Sequence, residues 1–371
     1  MSDPPEPLKT ALHGRHRQAG AVLAEEAGLA MPFSYGSTLC EYRQARTGAA
    51  VIDVSSLGRI SIRGDGSLDL LEKVLTHDVA RQADDTAHYT LLCNRAGGII
   101  DHGLCVRLED GWLLTTSPLG RLRVLEHLRQ HAVSLDVRID DQTESTTHLY
   151  LTGPQAAKRL EAVLGEKVTS WPVGMARAGT LMIARYVALR SAAAGQWALE
   201  VILPNAFAAQ AWDYVTSGAG GHRFAPAGLA VWEILRVEAG TARLGHEINE
   251  TIDPITAGLD HWVRREGQFI GAEAIRKLGA KQPARRRVGL VLHPPADDQP
   301  PPIPRQGNAV YDGVRTEVGV VTSGTFSPHM EQAIAMAYVS GACAEPGTTL
   351  EVVAESQPVP AKVVPLPFVK V

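Results

Sequence analysis

An acid and an imidazole stand side by side in an otherwise apolar run: Asp101 and His102 lie within IIDHGLCV (99–106). Successive side chains of a strand point to opposite faces, so only one of the two can face a given pocket. A carboxylate is costly to bury unless a polar or cationic group meets it. Asp101 is therefore a candidate binding or catalytic group; the alternative is an Asp that caps a strand at the sheet edge.

The surrounding stretch predicts a β-hairpin that would position these two side chains. A strand-like run begins at Tyr89, and the chain turns through residues 94–98, NRAGG, before the second run. Gly97 and Gly98 can take the positive φ that a tight reversal needs. We expect Asp101 to share one face with Cys105 and the neighbouring His102 to share the other face with Leu104.

Two further residues have the chemistry to bind a flat heterocycle. Glu200 opens an apolar strand after the small-residue loop 191–196, and an ionised carboxylate offers two acceptor oxygens to adjacent N–H donors. Trp232 could stack on a ring. The alternatives are an exposed strand residue for Glu200 and a core tryptophan for Trp232.

Composition limits the function classes. The 371 residues predict two or three domains. A content of 45% apolar and 20% charged residues is typical of soluble globular proteins, and the net charge of −4 gives no electrostatic case for nucleic acid or an anionic membrane.

Several common signatures are absent from the sequence. The four cysteines lie far apart without metal-ligand spacing, and His246-Glu247 lacks a third partner, so we predict no metal site. There is no GxGxxG, Walker, GxSxG or HExxH motif. No run has the length of a membrane span and the N-terminus is unlike a signal peptide, so the cytoplasm is the expected location.

The predicted elements alternate irregularly and include hairpins, which favours α+β domains over a doubly wound parallel sheet. We expect helices over 9–30, 36–49 and 67–75, the last with Ser67 as its N-cap. A Pro-rich loop at 294–304 separates this part from the C-terminal region. There, short strands at 286–292, 308–311, 316–323, 333–338, 349–354 and 360–364 predict a small all-β barrel or sandwich.

Taken together, the segments resemble the aminomethyltransferase family, the T-protein of the glycine cleavage system and its relatives. The resemblance runs from about residue 31 to 371. Among the residues that carry it are VIDVSSLG (51–58), YTLLCNRAGGIID (89–101), AGLAVWEILRVEAGTARLGHEINETIDPITAGL (227–259) and GVVTSGTFSP (319–328).

The resemblance implies a fold and a cofactor. The family has a three-domain cloverleaf around a central hole that holds tetrahydrofolate, and its last domain is a small β-barrel. On this chain the first α+β domain would comprise 1–55 plus 146–240, the second 56–145 plus 241–284, and the barrel 285–371. The resemblance also implies a small-molecule substrate and a lipoyl carrier protein as a candidate partner, which a divergent member need not keep.

Site residues follow from the resemblance position by position. Asp101 matches the carboxylate beside the folate nitrogens, which makes it the predicted catalytic residue. Tyr89 and Glu200 match cofactor-binding positions. Trp232 and Leu57 are also assigned to the cofactor, although the family has an Arg and a His-Met pair there. His102, in place of a second Asp, is assigned to the substrate.

The departures predict a divergent paralogue with an altered folate pocket. Besides the change at Trp232, the Arg expected to meet the folate tail is replaced by the Glu355-Ser356 region. A lost guanidinium removes a charge-assisted contact of about 1.5–3 kcal/mol. Stacking by Trp232 would offset part of that loss.

Three functions follow. The first is a tetrahydrofolate-dependent transferase of aminomethyl, methylene or methyl groups, including a demethylase. The second is an enzyme acting on a flat non-folate substrate with Asp101 or His102 as acid or base. The third is a non-catalytic folate-binding regulatory protein. It is disfavoured because RREGQFIGAE (264–273) lacks the cysteine of the KGCYxGQE-type motif in relatives from iron–sulfur assembly.

Overall fold

The computed structural model describes residues 6–181, 183–218, 223–293 and 302–370. Two open sheets, a closed barrel and a small N-terminal sheet organise this part of the chain. The mixture of helices with mostly antiparallel strands confirms the predicted α+β class.

A six-stranded sheet is built from two separate parts of the chain and is antiparallel except where β14 joins β4. Its strands, in spatial order, are β11 (Ala176–Leu181), β12 (Ala184–Ser191), β13 (Ala198–Pro204), β10 (Thr146–Thr152), β4 (Ala50–Asp53) and β14 (Ala225–Ala227). The helices associated with it are α1 (His13–Gln18), α2 (Thr38–Thr47), α5 (Ala156–Leu164), α6 (Ala208–Ser217) and α7 (Leu229–Glu238).

A five-stranded sheet contains the predicted hairpin. Its spatial order is β6 (Thr86–Cys93), β7 (Ile99–Leu108), β8 (Gly111–Thr116), β5 (Gly58–Arg63) and β9 (Arg138–Asp141). Apolar residues of helices α3 (Ser67–Val74) and α4 (Arg121–His131) pack on one face of it. Two later helices, α8 (Pro254–Ala257) and α9 (Ala272–Gly279), cover the hairpin end.

The C-terminal region is a closed six-stranded barrel, as predicted. Its strands are β15 (Arg285–Leu292), β16 (Ala309–Tyr311), β17 (Glu317–Ser327), β18 (Gln332–Ser340), β19 (Thr349–Ala354) and β20 (Gln357–Val364). Valine, leucine and alanine side chains fill its interior, and Val237 of α7 packs against its outer face. Most of the predicted Pro-rich loop, residues 294–301, lies outside the described residues.

The prediction of one helix over 9–30 is wrong. The segment forms β1 (Leu8–Lys9), the short helix α1, β2 (Val22–Glu26) and β3 (Leu29–Ser34). Ala27 and Gly28 both have positive φ, 49° and 83°, between the paired residues Glu26 and Leu29. A two-residue turn of this kind favours a hairpin over a helix.

The predicted N-cap of α3 is also wrong. Ser67 is the first helical residue, Gly66 occupies the cap position, and no side chain caps the helix. Among the described residues, no helix is long and apolar enough to cross a membrane.

Candidate functional site

The hairpin β6–β7 places its two faces in different surroundings. Tyr89 pairs across the hairpin with Leu104, and both face a cluster that includes Leu189 and Ile202 of the six-stranded sheet. The other face carries Cys105, packed against α3 and α4. The two open sheets thus meet through one face of the hairpin.

A cleft of about 720 Å³ opens beside this contact. It is lined by residues from six separate segments: His77, Asp78, 84–89, Leu104, 172–175, Arg190, Ser191 and 261–264. The volume lies within the range of about 300–1,000 Å³ that small-molecule sites usually have.

Stacked aromatic rings form one wall of the cleft. The rings of Tyr89 and Trp262 lie 5.0 Å apart at 13°. His102 meets Trp262 edge-on at 6.4 Å but does not itself line the cleft. A flat ligand ring could extend this stack.

His102 is a neutral imidazole in this setting. Its Nε2 lies 2.8 Å from the carbonyl oxygen of Ala242, and because a carbonyl only accepts, Nε2 carries the proton. Burial, with a smaller contribution from the charge of Arg287, lowers the pKa of His102 to about 4. Neutral His102 therefore offers Nδ1 as its remaining acceptor.

Four residues lining the cleft have buried polar atoms that lack a hydrogen-bond partner among the described residues. They are His77 Nδ1, Tyr89 Oη, Arg190 Nε and Arg264 Nε. Buried polar groups in folded proteins nearly always have partners. Their concentration around one cleft indicates a polar ligand or ordered water that supplies them.

These atoms differ in whether they donate or accept a hydrogen bond, and so in the ligand group that each would bind. The Nε groups of Arg190 and Arg264 are donors. The Nε2 of His77 contacts the Oε1 of Gln82 at 2.8 Å, and burial lowers the pKa of His77 to about 4, so its Nδ1 is an acceptor. The cleft is suited to a ligand with several acceptors and at least one donor.

Glu200 lies close enough to Tyr89 for its charge to act on the tyrosine, but it does not itself line the cleft. Burial, followed by the nearby charge of Glu200, raises the pKa of the Tyr89 hydroxyl. Glu200 itself is only 3% exposed. Its Oε2 lies 2.8 Å from His148 Nε2, although the ring N–H is not aligned on that oxygen. The carboxylate therefore retains acceptor capacity.

Trp232 and Leu57, two further predicted cofactor residues, lie away from the cleft. Tyr150 pairs with Glu200 on the neighbouring strand, and Trp232 of α7 contacts Tyr150 edge-on at 4.7 Å. Leu57 packs with Trp232 in one apolar cluster. These two predicted cofactor residues do not line the cleft but are connected to it through Tyr150 and Glu200.

Asp101 lies on the other face of β7 and does not line the cleft. It is fully buried, its Oδ2 accepts the backbone N–H of Ser117 at 3.0 Å, and its Oδ1 has no partner in the described ranges. A Cβ on Gly120 would stand 2.1 Å from Oδ2, so the carboxylate occupies space that only glycine leaves. Burial raises the pKa of Asp101 to about 7.

Four residues of the cleft were not predicted from the sequence: Trp262, Arg190, Arg264 and His77. They come from segments far apart in sequence, and hydrogen bonds of Thr76 to Trp262 and Arg264 join three of them, whereas Arg190 comes from the other sheet. A signal existed for Arg190 alone, a cation directly before the small-residue loop that precedes Glu200.

Two open sheets that pack together beside a cleft, followed by a closed barrel, define the class of fold to which this protein belongs. Matches to two family models identify the family within this class. The "GCVT N-terminal domain" matches residues 12–266 and the "Glycine cleavage T-protein C-terminal barrel domain" matches residues 285–370. The chain belongs to the glycine cleavage T-protein family, which confirms the resemblance.

Relatives match this chain over almost its whole length. The aminomethyltransferase of Rubrobacter xylanophilus is 34% identical over 97% of this chain and 94% of its own. That of Streptomyces avermitilis is 32% identical over 98% and 97%. The crystal structure of the glycine cleavage system aminomethyltransferase T from Bartonella henselae superposes with a TM-score of 0.89 at 28% identity, covering 98% of both chains.

Proposed function

We propose that the protein is a tetrahydrofolate-dependent one-carbon transferase acting on a small substrate. The observation that carries this proposal is the cleft, where Tyr89 and Trp262 stack beside the unpartnered atoms of Arg190 and His77. A reduced pterin has a flat face, ring N–H donors and acceptor atoms, and it matches that set. The named relatives, which are aminomethyltransferases, add support.

This chain's residues would hold the cofactor by stacking and hydrogen bonding. Tyr89 and Trp262 would provide the aromatic surface, and Glu200, which lies behind Tyr89 and does not line the cleft, is the proposed acceptor for adjacent N–H groups. Trp232 and Leu57 would act on the site indirectly, through Tyr150 and Glu200. When bound, tetrahydrofolate supplies the nitrogen atoms that accept the one-carbon unit, whether aminomethyl, methylene or methyl.

Asp101 is the proposed catalytic carboxylate, and His102 the proposed substrate contact. Asp101 has one oxygen fixed by the backbone of Ser117 and one without a partner among the described residues. A buried carboxylate with a pKa near neutrality can steady a developing positive charge or hold a proton at its free oxygen. Asp101 and the cleft lie on opposite faces of β7, so what supports this assignment is the resemblance and the unpartnered oxygen of Asp101.

The proposal includes the three-domain division predicted from the sequence. Residues 1–55 plus 146–240 contain the six-stranded sheet, residues 56–145 plus 241–284 the five-stranded sheet, and residues 285–371 the barrel. It also includes a lipoyl carrier protein as the candidate partner and the cytoplasm as the location.

Calorimetric titration with tetrahydrofolate tests the cofactor. We expect saturable binding, weakened at least tenfold by Arg190→Gln. Arg177→Gln is the matched control, because Arg177 also lies over a tryptophan, Trp171, but is paired with Glu166 and does not line the cleft. No binding by the folded protein at millimolar tetrahydrofolate would reject folate and favour the flat non-folate substrate.

Turnover distinguishes an enzyme from a folate-binding regulator. A protein that binds tetrahydrofolate should transfer a one-carbon unit to it from an aminomethyl-lipoyl carrier or from a small methylated donor. Binding without transfer from either donor would contradict the proposed catalysis and leave the regulatory function.

A further inference from the structure

The imidazole of His77, which lines the cleft, is held at one edge and one face. His77 is 8% exposed, and its Nε2 lies 2.8 Å from Oε1 of Gln82. One face of the ring stacks on His88, with the two centroids 5.8 Å apart and the planes at 12°. These two contacts fix the orientation of the ring.

Gln82 determines which nitrogen of His77 carries the hydrogen. Its amide nitrogen donates to the carbonyls of Thr86 and Cys105, at 2.9 Å each, so both amide hydrogens are used. The amide oxygen is therefore the atom that meets His77, and because this oxygen only accepts, Nε2 is the protonated nitrogen. Burial lowers the pKa of His77 to about 4, so the ring is neutral at pH 7.

The Nδ1 atom of His77 is consequently a fixed hydrogen-bond acceptor. It is buried and has no partner among the described residues. The other tautomer would set two acceptors, His77 Nε2 and Gln82 Oε1, against each other. A flip of the Gln82 amide would leave the carbonyls of Thr86 and Cys105 without their donor. A buried acceptor of this kind favours a ligand that brings an N–H group to it and disfavours one that brings a second acceptor.

Pterins differ in the hydrogen-bond donors of the ring according to their oxidation state. Every pterin has the adjacent N3–H and 2-amino groups, for which Glu200 is the proposed acceptor. The N5–H and N8–H groups exist only in reduced rings, and in folic acid the same two nitrogens are bare acceptors. A second fixed acceptor that meets this side of the ring would bind the reduced form and reject the oxidised form.

We propose that His77, oriented by Gln82, is a specificity-determining residue that makes the cleft select a reduced pterin over an oxidised one. Its Nδ1 accepts a hydrogen bond from a ring N–H that only the reduced form has. Gln82 is a positioning residue, because it acts through His77 and does not itself line the cleft. This selection rests on the proposed function, in which the cleft binds tetrahydrofolate.

Calorimetric titrations with tetrahydrofolate and with folic acid, both under anaerobic reducing conditions, test this selection. We expect the wild type to bind tetrahydrofolate about tenfold tighter or more. His77→Gln keeps an amide near the Nε2 position but has no acceptor at the Nδ1 position, so this preference should fall about fivefold or more. His77→Asn places its amide oxygen near the Nδ1 position and should keep more of the preference than His77→Gln.

His127→Gln is the matched control. His127 also has a buried ring nitrogen without a described partner, and burial lowers its pKa to about 4, but it does not line the cleft. The control should keep the wild-type preference. A merely structural role of His77 would order the two variants the other way, because only His77→Gln can keep the contact with Gln82. The inference is wrong if His77→Gln keeps the wild-type preference, or if His77→Asn loses more of it than His77→Gln.

The same titrations separate the role of His77 from the proposed function. No binding of tetrahydrofolate by the folded wild type at millimolar ligand would reject folate, and the selection with it. Equal affinity of the wild type for both ligands would reject the role of His77 and leave the folate function in place. Where His77→Asn does not fold, the comparison of His77→Gln with His127→Gln still decides.

Discussion

Asp101 shows how a residue type can be recognised from sequence while its surroundings cannot. An acid in an apolar strand indicated either a functional group or a strand cap, and the structure places it fully buried beneath Gly120. Its contact with Ser117 depends on the turn between β8 and α4, sixteen residues further along the chain. Strand periodicity gave the separation of Asp101 from His102 but not what either side chain would meet.

Asp101→Asn should abolish one-carbon transfer while leaving the fold intact, because the shape is retained and only the charge is lost. Steady-state rates measured from pH 5 to 9 should show a step with an apparent pKa near 7 in the wild type. A variant that turns over at the wild-type rate would exclude Asp101 from the chemistry.

The same substitution has a consequence for stability. The pKa of Asp101 is raised in the folded state above its unfolded value, so its contribution is fully present below about pH 4 and is lost as the pH rises through about 7. Between pH 5 and pH 8 the wild type should lose a few kcal/mol of unfolding free energy relative to Asp101→Asn. Urea unfolding at both pH values measures this difference.

Gly120→Ala should disturb Asp101 directly. The φ of Gly120 is −84°, which alanine adopts easily, so the effect comes from the Cβ that would stand 2.1 Å from the carboxylate. We expect kcat to fall at least tenfold and stability to fall by about 1–3 kcal/mol. Gly14→Ala, with open space around its Cβ, is the control and should leave both nearly unchanged.

Trp232→Arg should tighten tetrahydrofolate binding, because the resemblance predicts an arginine, a charged donor, at this position. The expected gain is about 1.5 kcal/mol or more, reduced by the loss of the edge-on contact with Tyr150. Calorimetry on the two proteins measures it. Unchanged or weaker binding would show that the pocket no longer has the family's geometry.

At the scale of elements, strong local sequence signals were sufficient to predict the hairpin and the barrel strands. The hairpin was predictable because apolar alternation flanks a double glycine, and Gly97 takes a φ of 88° while a Cβ on Gly98 would strike the carbonyl of Glu250. All six barrel strands were predictable from short alternating runs. The segment 9–30 was not, because helix-forming alanine and glutamate residues masked the turn at Ala27 and Gly28.

Arg59 connects separate elements through hydrogen bonds, and its substitution measures how much this connection stabilises the fold. This fully buried side chain on β5 donates to the carbonyls of Ser55 and Thr146, and to the Thr146 hydroxyl, which fastens the loop after β4 to the start of β10. Arg59→Met leaves these acceptors unpartnered and should cost about 3 kcal/mol or more of unfolding free energy. Arg63→Met, at the exposed end of the same strand, should cost about 0.5 kcal/mol or less.

At the scale of the whole molecule, the sequence indicated the family and fold, whereas the cleft required the packed structure. Motifs spread over most of the chain specified the family, and the family models confirm it. Arg190 reaches the cleft because the two open sheets pack together, and Trp262 reaches it because its segment packs on Tyr89 of β6. Neither residue was predictable from spacing, because no local pattern records which distant segments will meet.

The central claim is that the cleft between the two open sheets holds tetrahydrofolate. The most direct test is a crystal structure of the protein soaked with tetrahydrofolate. We predict electron density for the pterin ring against Tyr89 and Trp262, with polar atoms at hydrogen-bond distance from Arg190 Nε. Well-ordered density for tetrahydrofolate elsewhere, with the cleft filled only by water, would contradict the claim.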